Sequence, residues 1–424
     1  MVPLLLFLLV VVLLLASVSA RTIDFQLIGG IPFERSIDVA YANRDLLNSA
    51  LANLSIGDTF LIPNRTYYVV GGIVGDNLKH ITFKLDGTLL FSDDRDTWPV
   101  DSSGAVLECM TFNNIENVTF TSSGLGTFDG NGRKWWGALK YLKFQEDRPR
   151  LMHIITSKNI VVENLLFKDS PFWTFWAENC DGLIVRYSKV DVRWDKKDKH
   201  TLLDLQAFNT DGFDVTGKNV HMYDLDIWND DDCIAVKDGS QDMLFERINA
   251  SGLGLVIGSI GHSKVNNITF RDSVMYSTFK GIYMKTRWYD DGPVGESASI
   301  SNILYQNITM YSPQQWAIWM GPAQQTGQKC PLYWPGVPNS QCLMSGTQTW
   351  TNITLRDITV YSPNRSPGVL IGNDTNPMTN ILFDNVVIHN PGDYPWGDKF
   401  YECDNIQGIA TGTTDPIPPC FKKG

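Results

Sequence analysis

The sequence has no CxxC or HExxH spacing, which argues against a structural zinc site or a zinc-peptidase centre. It has no long Pro/Ser-rich linker, charge block or low-complexity tract, so nothing marks a domain boundary inside its 424 residues. Residues 21–424 therefore read as one large domain. Positive charge is in short supply. With 35 Lys and Arg against 46 Asp and Glu, the net charge is −11, which argues against nucleic acid as a partner. The same balance gives no long-range attraction for a polyanion. Charge complementarity would have to be local, around Arg193, Lys196, Lys197, Lys199, Lys285 and Arg287. Lys196 to Lys199 alternate with aspartates and read first as a solvated loop. Long amphipathic helices are missing too, apart from a capping segment around Asp45 to Leu54.

Long hydrophobic runs are limited to one. Residues 2–20 form an apolar stretch ending in Val18-Ser19-Ala20, a small-residue pattern of the secretory kind, although no Lys or Arg precedes it. The run to Leu15 is shorter than the roughly 20 residues of a membrane span. A cleaved signal peptide over 1–20, a first mature residue at Arg21 and an extracellular protein are the expectation; a signal anchor is the rival. Nine Asn-x-Ser/Thr sequons, at Asn53, Asn64, Asn117, Asn249, Asn267, Asn307, Asn352, Asn364 and Asn373, fit passage through a secretory pathway. Some of them are expected to be turn asparagines only. Of seven cysteines, the pairs Cys330/Cys342 and Cys403/Cys420 are close enough to staple C-terminal loops, and an odd count leaves at least one thiol free. Cys233 reads as a small apolar core residue. Thirteen tryptophans suit stacking on sugar rings and suit a large core nearly as well. Trp135, Trp136, Trp288 and Tyr289 share that ambiguity.

What recurs is a short phrase. It reads NIENVTF at 114–120, NIVVENLLF at 159–167, NVHMYDLDI at 219–227, DMLFERI at 242–248 and NITFRDSVM at 267–275. It returns as NILYQNITM at 302–310, NITLRDITV at 352–360 and NILFDNVVI at 380–388. Apolar residues alternate with period two on either side of an Asn or Asp, which spells two short strands with a turn between them. Where nothing intervenes the phrases begin 23 to 25 residues apart, as from Asp242 to Asn267; the larger gaps, near 35 and 50, imply an inserted loop or an extra coil. One such unit cannot bury its own apolar face, but a stack of them can. The Leu-x-x-Leu-x-Leu pattern of leucine-rich repeats is absent. A parallel β-helix is the architecture left standing.

Acidic residues concentrate in Asn209-Thr210-Asp211-Gly212-Phe213-Asp214 and Asn229-Asp230-Asp231-Asp232-Cys233. Asp211 and Asp231 are about one coil apart, which places them on neighbouring strands about 4.8 Å from each other. Carboxylates that close cannot all ionise freely, and a protonated acid beside an ionised base is what glycoside hydrolysis requires. Turn capping and calcium binding are the ordinary alternatives for such acidic runs. Asp231 and Asp232 would face opposite sides of a regular strand, so both can serve one cleft only at a bend. His153, His200 and His221 read as structural or exposed, and Asn209 as either a turn cap or an orienting group for the aspartates.

The sequence resembles glycoside hydrolase family 28, the polygalacturonase family, over most of its length. The resemblance lies in Gly126-Thr127-Phe128-Asp129-Gly130-Asn131-Gly132 before Trp135-Trp136, then Arg148-Pro149-Arg150-Leu151 and Ser170-Pro171-Phe172-Trp173. It continues through NTDGFDV, NDDDCIAVKDGS, GLGLVIGSIG at 252–261 and IYMKTR at 282–287. It implies a right-handed parallel β-helix and an inverting mechanism without a cofactor or metal. Asp231 would be the general acid, Asp211 and Asp232 would activate water, and Lys285 would meet a substrate carboxylate. The chain departs from the family pattern at Leu253, where a histidine is usual, at Tyr283, where an arginine is usual, and at Asp230. Tyr283 cannot form the charged fork of arginine but could stack on a neutral sugar. The expected substrate is pectin-type polygalacturonan, cut by a monomer free of any membrane after signal cleavage. Rhamnogalacturonan or another modified uronan is the alternative, and a non-catalytic carbohydrate-binding descendant is the reading from a different class. A lyase would need calcium and a basic residue facing the acidic cluster, and no such pattern stands out.

Overall fold

A computed structural model describes residues 20–137, 147–194, 204–288 and 298–424. Its strands pair in parallel into three long ladders that climb from coil to coil. The first runs from Thr22–Asp24 through 218–223, 241–246, 266–271, 301–306 and 351–356 to Phe421–Lys423. The second runs from Thr66–Val69 to 386–389. The third starts at Ile73–Asp76, passes through Phe175, Phe213, Ile234, Leu255 and Ile282, and ends at Tyr401–Asp404. This is the parallel β-helix that the repeat predicts, and right-handed winding is the hand parallel crossovers nearly always take. Leu304 pairs directly with Thr269 on one side and Thr354 on the other. The gaps of 35 and 50 residues, from Asn267 to Asn302 and on to Asn352, are therefore single coils carrying inserted loops, whereas the stretch from Asn159 to Asn219 holds an extra coil at 181–186.

The Asn and Asp of the repeat stand at the corners. Asn219, Asp242, Asn267, Asn302, Asn352 and Asn380 all have φ between 55° and 57°, and Asp224, Asp272, Asn307, Asp357 and Asn385 repeat this at the next corner with φ of 52° to 58°. Asn and Asp tolerate this left-handed conformation better than other residues with a side chain. Stacked one coil apart, their amides bond to each other. Asn352 Nδ2 donates to Asn302 Oδ1 at 2.5 Å, and Asn380 Nδ2 to Asn352 Oδ1 at 3.2 Å. The sequon residues Asn267 and Asn307 also donate from Nδ2 into these ladders, at 2.7 Å each.

Alternation within each strand turns Phe83, Phe112, Phe120 and Phe128 inward, with ring centroids 4.8 to 6.3 Å apart. Burying each such ring contributes about 1.5–3 kcal/mol. A helix, Ile37–Ala52, covers the N-terminal end, with Leu47 and Leu51 buried. It begins eight residues before the expected Asp45, because Ser36 caps it by accepting a hydrogen bond from the Val39 amide. Cys330–Cys342 and Cys403–Cys420 are disulfides, as their spacing suggested. Cys109, Cys180 and Cys233 are free and buried.

Candidate active site

The third ladder carries the site on the face turned away from the coil interior. Phe213, Ile234, Leu255 and Ile282 point inward, so Asp214, Ala235, Val256 and Tyr283, one residue on and paired in the same register, point outward. Asp211, Asp231, Leu253 and Lys280 lie just before these strands, at the corner where the chain leaves the second ladder.

That corner is shaped by Asn229, which is fully buried. Its Nδ2 lies 2.9 Å from the Thr210 carbonyl, 3.0 Å from that of Asp231 and 2.9 Å from that of Asp232. The clamp holds the chain in a bend at Asp230 and Asp231 before the strand Asp232–Val236 begins. The bend removes the alternation problem and lets consecutive aspartates serve one cleft. Gly252 faces the clamp from the next coil, where a Cβ would lie 2.3 Å from Asn229 Oδ1.

Asp211, Asp231 and Asp232 each bring one carboxylate oxygen within 4.8 Å of the others. All three are buried, and Asp231 at 7 % exposure is the most accessible. Asn209 donates to Asp231 Oδ2 from its backbone at 3.2 Å and its side-chain amide at 3.3 Å, and the Asp232 amide donates to Asp231 Oδ1 at 2.9 Å. Lys285 Nζ sits 2.9 Å from Asp232 Oδ2. Lys237 Nζ lies 2.7 Å from Asp214, 3.8 Å from Asp232 and 3.9 Å from Asp211. Asp211 Oδ1 has no hydrogen-bond partner among the described residues. Two ammonium groups thus stand among four carboxylates, Lys285 bonded to Asp232 and Lys237 nearest Asp214.

Burial sets the protonation. It pushes Asp231 up to about 6, helped by the charge on Asp232 and opposed by Lys285. It pushes Asp211 well above the usual carboxylate range, reinforced by Asp214 and Asp231. Burial pulls Lys237 and Lys285 down, but the surrounding carboxylates, Asp214 for the first and Asp232 for the second, more than reverse this and hold both charged. Burial also raises the Cys233 thiol, as befits an inert core residue.

All six expected site residues meet here. Tyr283 differs in aspect from a sugar platform: it is 2 % exposed, its ring lies under Lys285 Nζ at 4.5 Å and Lys280 Nζ at 4.7 Å, and its hydroxyl accepts from the Gln324 amide. Leu253 lies beside Asp231, its amide donating to the Asp231 carbonyl at 2.6 Å. Trp135 and Trp136 are buried, so loop packing accounts for them. His153 bonds Glu178 and stacks on Trp176, and His221 bonds Glu246. Arg193 pairs with Asp191. Lys196, Lys197, Lys199, His200 and Tyr289 lie outside the described residues. Lys237, Lys280 and the Asn229 clamp were not singled out from the sequence. The pairing of Asp214 with Lys237 did leave a trace: they flank Val215 and Val236, which are register partners one coil apart.

Solved structures with this architecture include an endo-xylogalacturonan hydrolase from Aspergillus tubingensis. It superposes with a TM-score of 0.66 over 90% of this chain and 95% of that one at 19% identity. The same enzyme is 27% identical in sequence over 302 residues, 70% of this chain and 69% of the relative. An exopolygalacturonase of Cochliobolus carbonum is 26% identical over 394 residues, 86% of this chain and 81% of that one. A polygalacturonase of Cryptomeria japonica is 27% identical over 60% of this chain, which spans 48% of that relative's length. The sequence profile described as glycosyl hydrolases family 28 matches residues 56–414, and the chain belongs to that family of glycoside hydrolases.

Proposed function

We propose that the protein is an exported hydrolase that cuts α-glycosidic bonds of a pectin-type uronan with inversion. The observation that carries this is the trio of buried carboxylates gripped by Lys237 and Lys285 on an outward sheet face. Asp231 acts as general acid. Its raised pKa keeps a proton available below about pH 6, and it is the member of the trio most open to the cleft. Asp232, bonded by Lys285 with Lys237 close by, is the base. Asp211 and Asp231 raise each other's hold on a proton, so the cluster carries one between them; with it on Asp231, Asp211 shares the water through its unpartnered Oδ1. Asn209 and Lys285 border the trio where substrate must lie, and Tyr283, covered by Lys285 and Lys280, supports that wall from beneath.

A nearest-oxygen spacing within 4.8 Å is shorter than the roughly 6.5–9.5 Å usual between the carboxyls of inverting enzymes. Two bases sharing one water must both reach it from one side, so a close base pair follows from this arrangement. Export is supported by the apolar run before Ala20 and by two disulfides in loops of the C-terminal half. Among the described residues no helix is long and apolar enough to cross a membrane. A modified uronan is the second reading, favoured by the apolar Leu253 and the uncharged Tyr283 where two polar groups would help grip a bare acid.

Reducing-end release from polygalacturonan, rhamnogalacturonan and xylogalacturonan, measured side by side with Asp231→Asn as control, tests both readings. Cleavage of polygalacturonan that the substitution abolishes is the expected result. Cleavage confined to a branched or alternating polymer moves the substrate to the second reading. No cleavage by folded protein overturns the hydrolase assignment.

A further inference from the structure

Lys280 is a buried cation that the mechanism above does not use. It is 4 % exposed, in the wall beside Lys285, and it forms no ion pair with a described residue within 4.0 Å. Its Nζ is held by two neutral acceptors, Gln315 Oε1 at 3.0 Å and Gln324 Oε1 at 3.2 Å. It also lies over the rings of Tyr283 at 4.7 Å and Trp319 at 5.0 Å. Buried lysines normally pair with an acid, because an isolated ammonium in the interior loses its hydration with no opposite charge to replace it. Here the fold retains the cation and supplies only dipoles and ring faces.

The holding groups are themselves fixed. The Gln324 amide donates to the Tyr283 hydroxyl at 3.1 Å, and Gln324 Nε2 donates to the Trp334 carbonyl at 2.9 Å. Trp334 belongs to the loop closed by the Cys330–Cys342 disulfide. Burial pulls Lys280 down to about 7, and Lys285 lowers it further while Asp232 and Asp231 work against this. A bound anion would reverse that loss.

We propose that Lys280 binds the carboxylate of a substrate uronate on the C-terminal side of the aspartate trio, and so sets the preference for a free acid over its ester there. The inference rests on the uronan reading above and goes beyond it, by naming a second cation and the group it reads. Tyr283 then serves as a floor for both ammonium groups: Lys285 bonds Asp232, and Lys280 remains for the ligand. The two lysines divide between enzyme and substrate carboxylates.

The test uses the whole protein and trigalacturonate as probe, with its fully methyl-esterified form as comparison, and binding is measured by calorimetry at pH 5. Lys280→Met fills the same space with an apolar chain. A lost charge-assisted contact weakens binding of the free acid by ~10–100-fold. The ester is expected to lose less than threefold, so the acid-to-ester ratio collapses. Lys280→Arg, which keeps a charge, should recover part of the ratio and report on the site even if the Met variant folds poorly. Equal weakening of both ligands, or no weakening of either, would overturn the assignment. All binding is measured in an Asp231→Asn background, so the probe is not cut; binding of the acid through Lys280 there, with no uronan cleaved by wild-type protein, would sink the hydrolase reading and leave this one standing. A background protein that does not bind trigalacturonate would overturn this one.

Discussion

Asn352 and Asp211 are nearly the same size, yet the molecule treats them in opposite ways. Asn352 stands exposed at a corner with both side-chain polar atoms engaged, one donating to the coil before and one accepting from the coil after. Asp211 is 3 % exposed, one of its oxygens has no partner, and its nearest charged neighbours are further carboxylates and a single lysine almost 4 Å away. Corner residues are placed where their intrinsic preference for left-handed backbone lowers the energy of the fold. Cleft residues are placed where burial and like charge raise it, and the clamp and the lysines hold them there. The lesson is that one residue type carries structure where its polar atoms are satisfied, and chemistry where they are not.

The sharpest way to break this contrast is to neutralise the acid. Asp231→Asn should lower kcat by ~10³-fold or more, if the proton donor is lost, while leaving the urea midpoint unchanged or higher because a buried charge has gone. A similar loss at Asp226, an exposed acid paired with Lys189, would erase the distinction.

The next effect is on the clamp. Asn229→Ala removes the amide that bridges three carbonyls; the Asp231 carbonyl keeps the Leu253 amide and the Asp232 carbonyl the Gly212 amide, while the Thr210 carbonyl loses its donor, a cost of about 1–3 kcal/mol. Urea unfolding should show it, and kcat should fall with it because the bend relaxes. Unchanged activity in a variant destabilised by that amount would show that the bend does not position the aspartates.

Smaller again is the effect of the lysine. Asp214→Asn/Lys237→Met removes the buried pair together and avoids stranding one charge. The pair's removal takes away Asp214, which raises Asp211 more than Lys237 lowers it, so Asp211 gives up its proton at lower pH. The acid limb of kcat/KM should then move down, by about one unit at most. The alkaline limb reports the general acid: activity should decline as pH rises through about 6, where Asp231 loses its proton. The least expected effect is at the corner. Asn352→Ala should cost about 1 kcal/mol through the left-handed φ of 55° and the broken ladder, with kcat unaltered.

Sequence legibility follows the same divide. The coil was readable because period-two alternation and a recurring Asn or Asp are local signals, repeated in eight phrases from Asn114 to Ile388. The aspartate trio was readable because Asp211 and Asp231 are spaced by one coil. Asn229, Lys237 and Lys280 were much less so. Each acts across coils, through backbone carbonyls or through carboxylates brought near by stacking, and no local pattern distinguishes them from ordinary corner or loop residues. Tyr283 shows the limit from the other side: its identity suggested a ring open to sugar, but two lysine side chains and Gln324 cover it. The helix starts upstream of its apolar middle because the Ser36 cap, a single polar side chain, sets its first turn.

The central claim is that Asp211 and Asp232 jointly hold one water against the bond that Asp231 protonates. Proton NMR of the first product formed from an α-linked uronan that the enzyme cuts, recorded before mutarotation, tests it most directly. A single displacement by that water gives the β anomer at the new reducing end. The α anomer would mean two displacements through a covalent intermediate, which the close carboxylate spacing by itself would also permit, and would contradict the account.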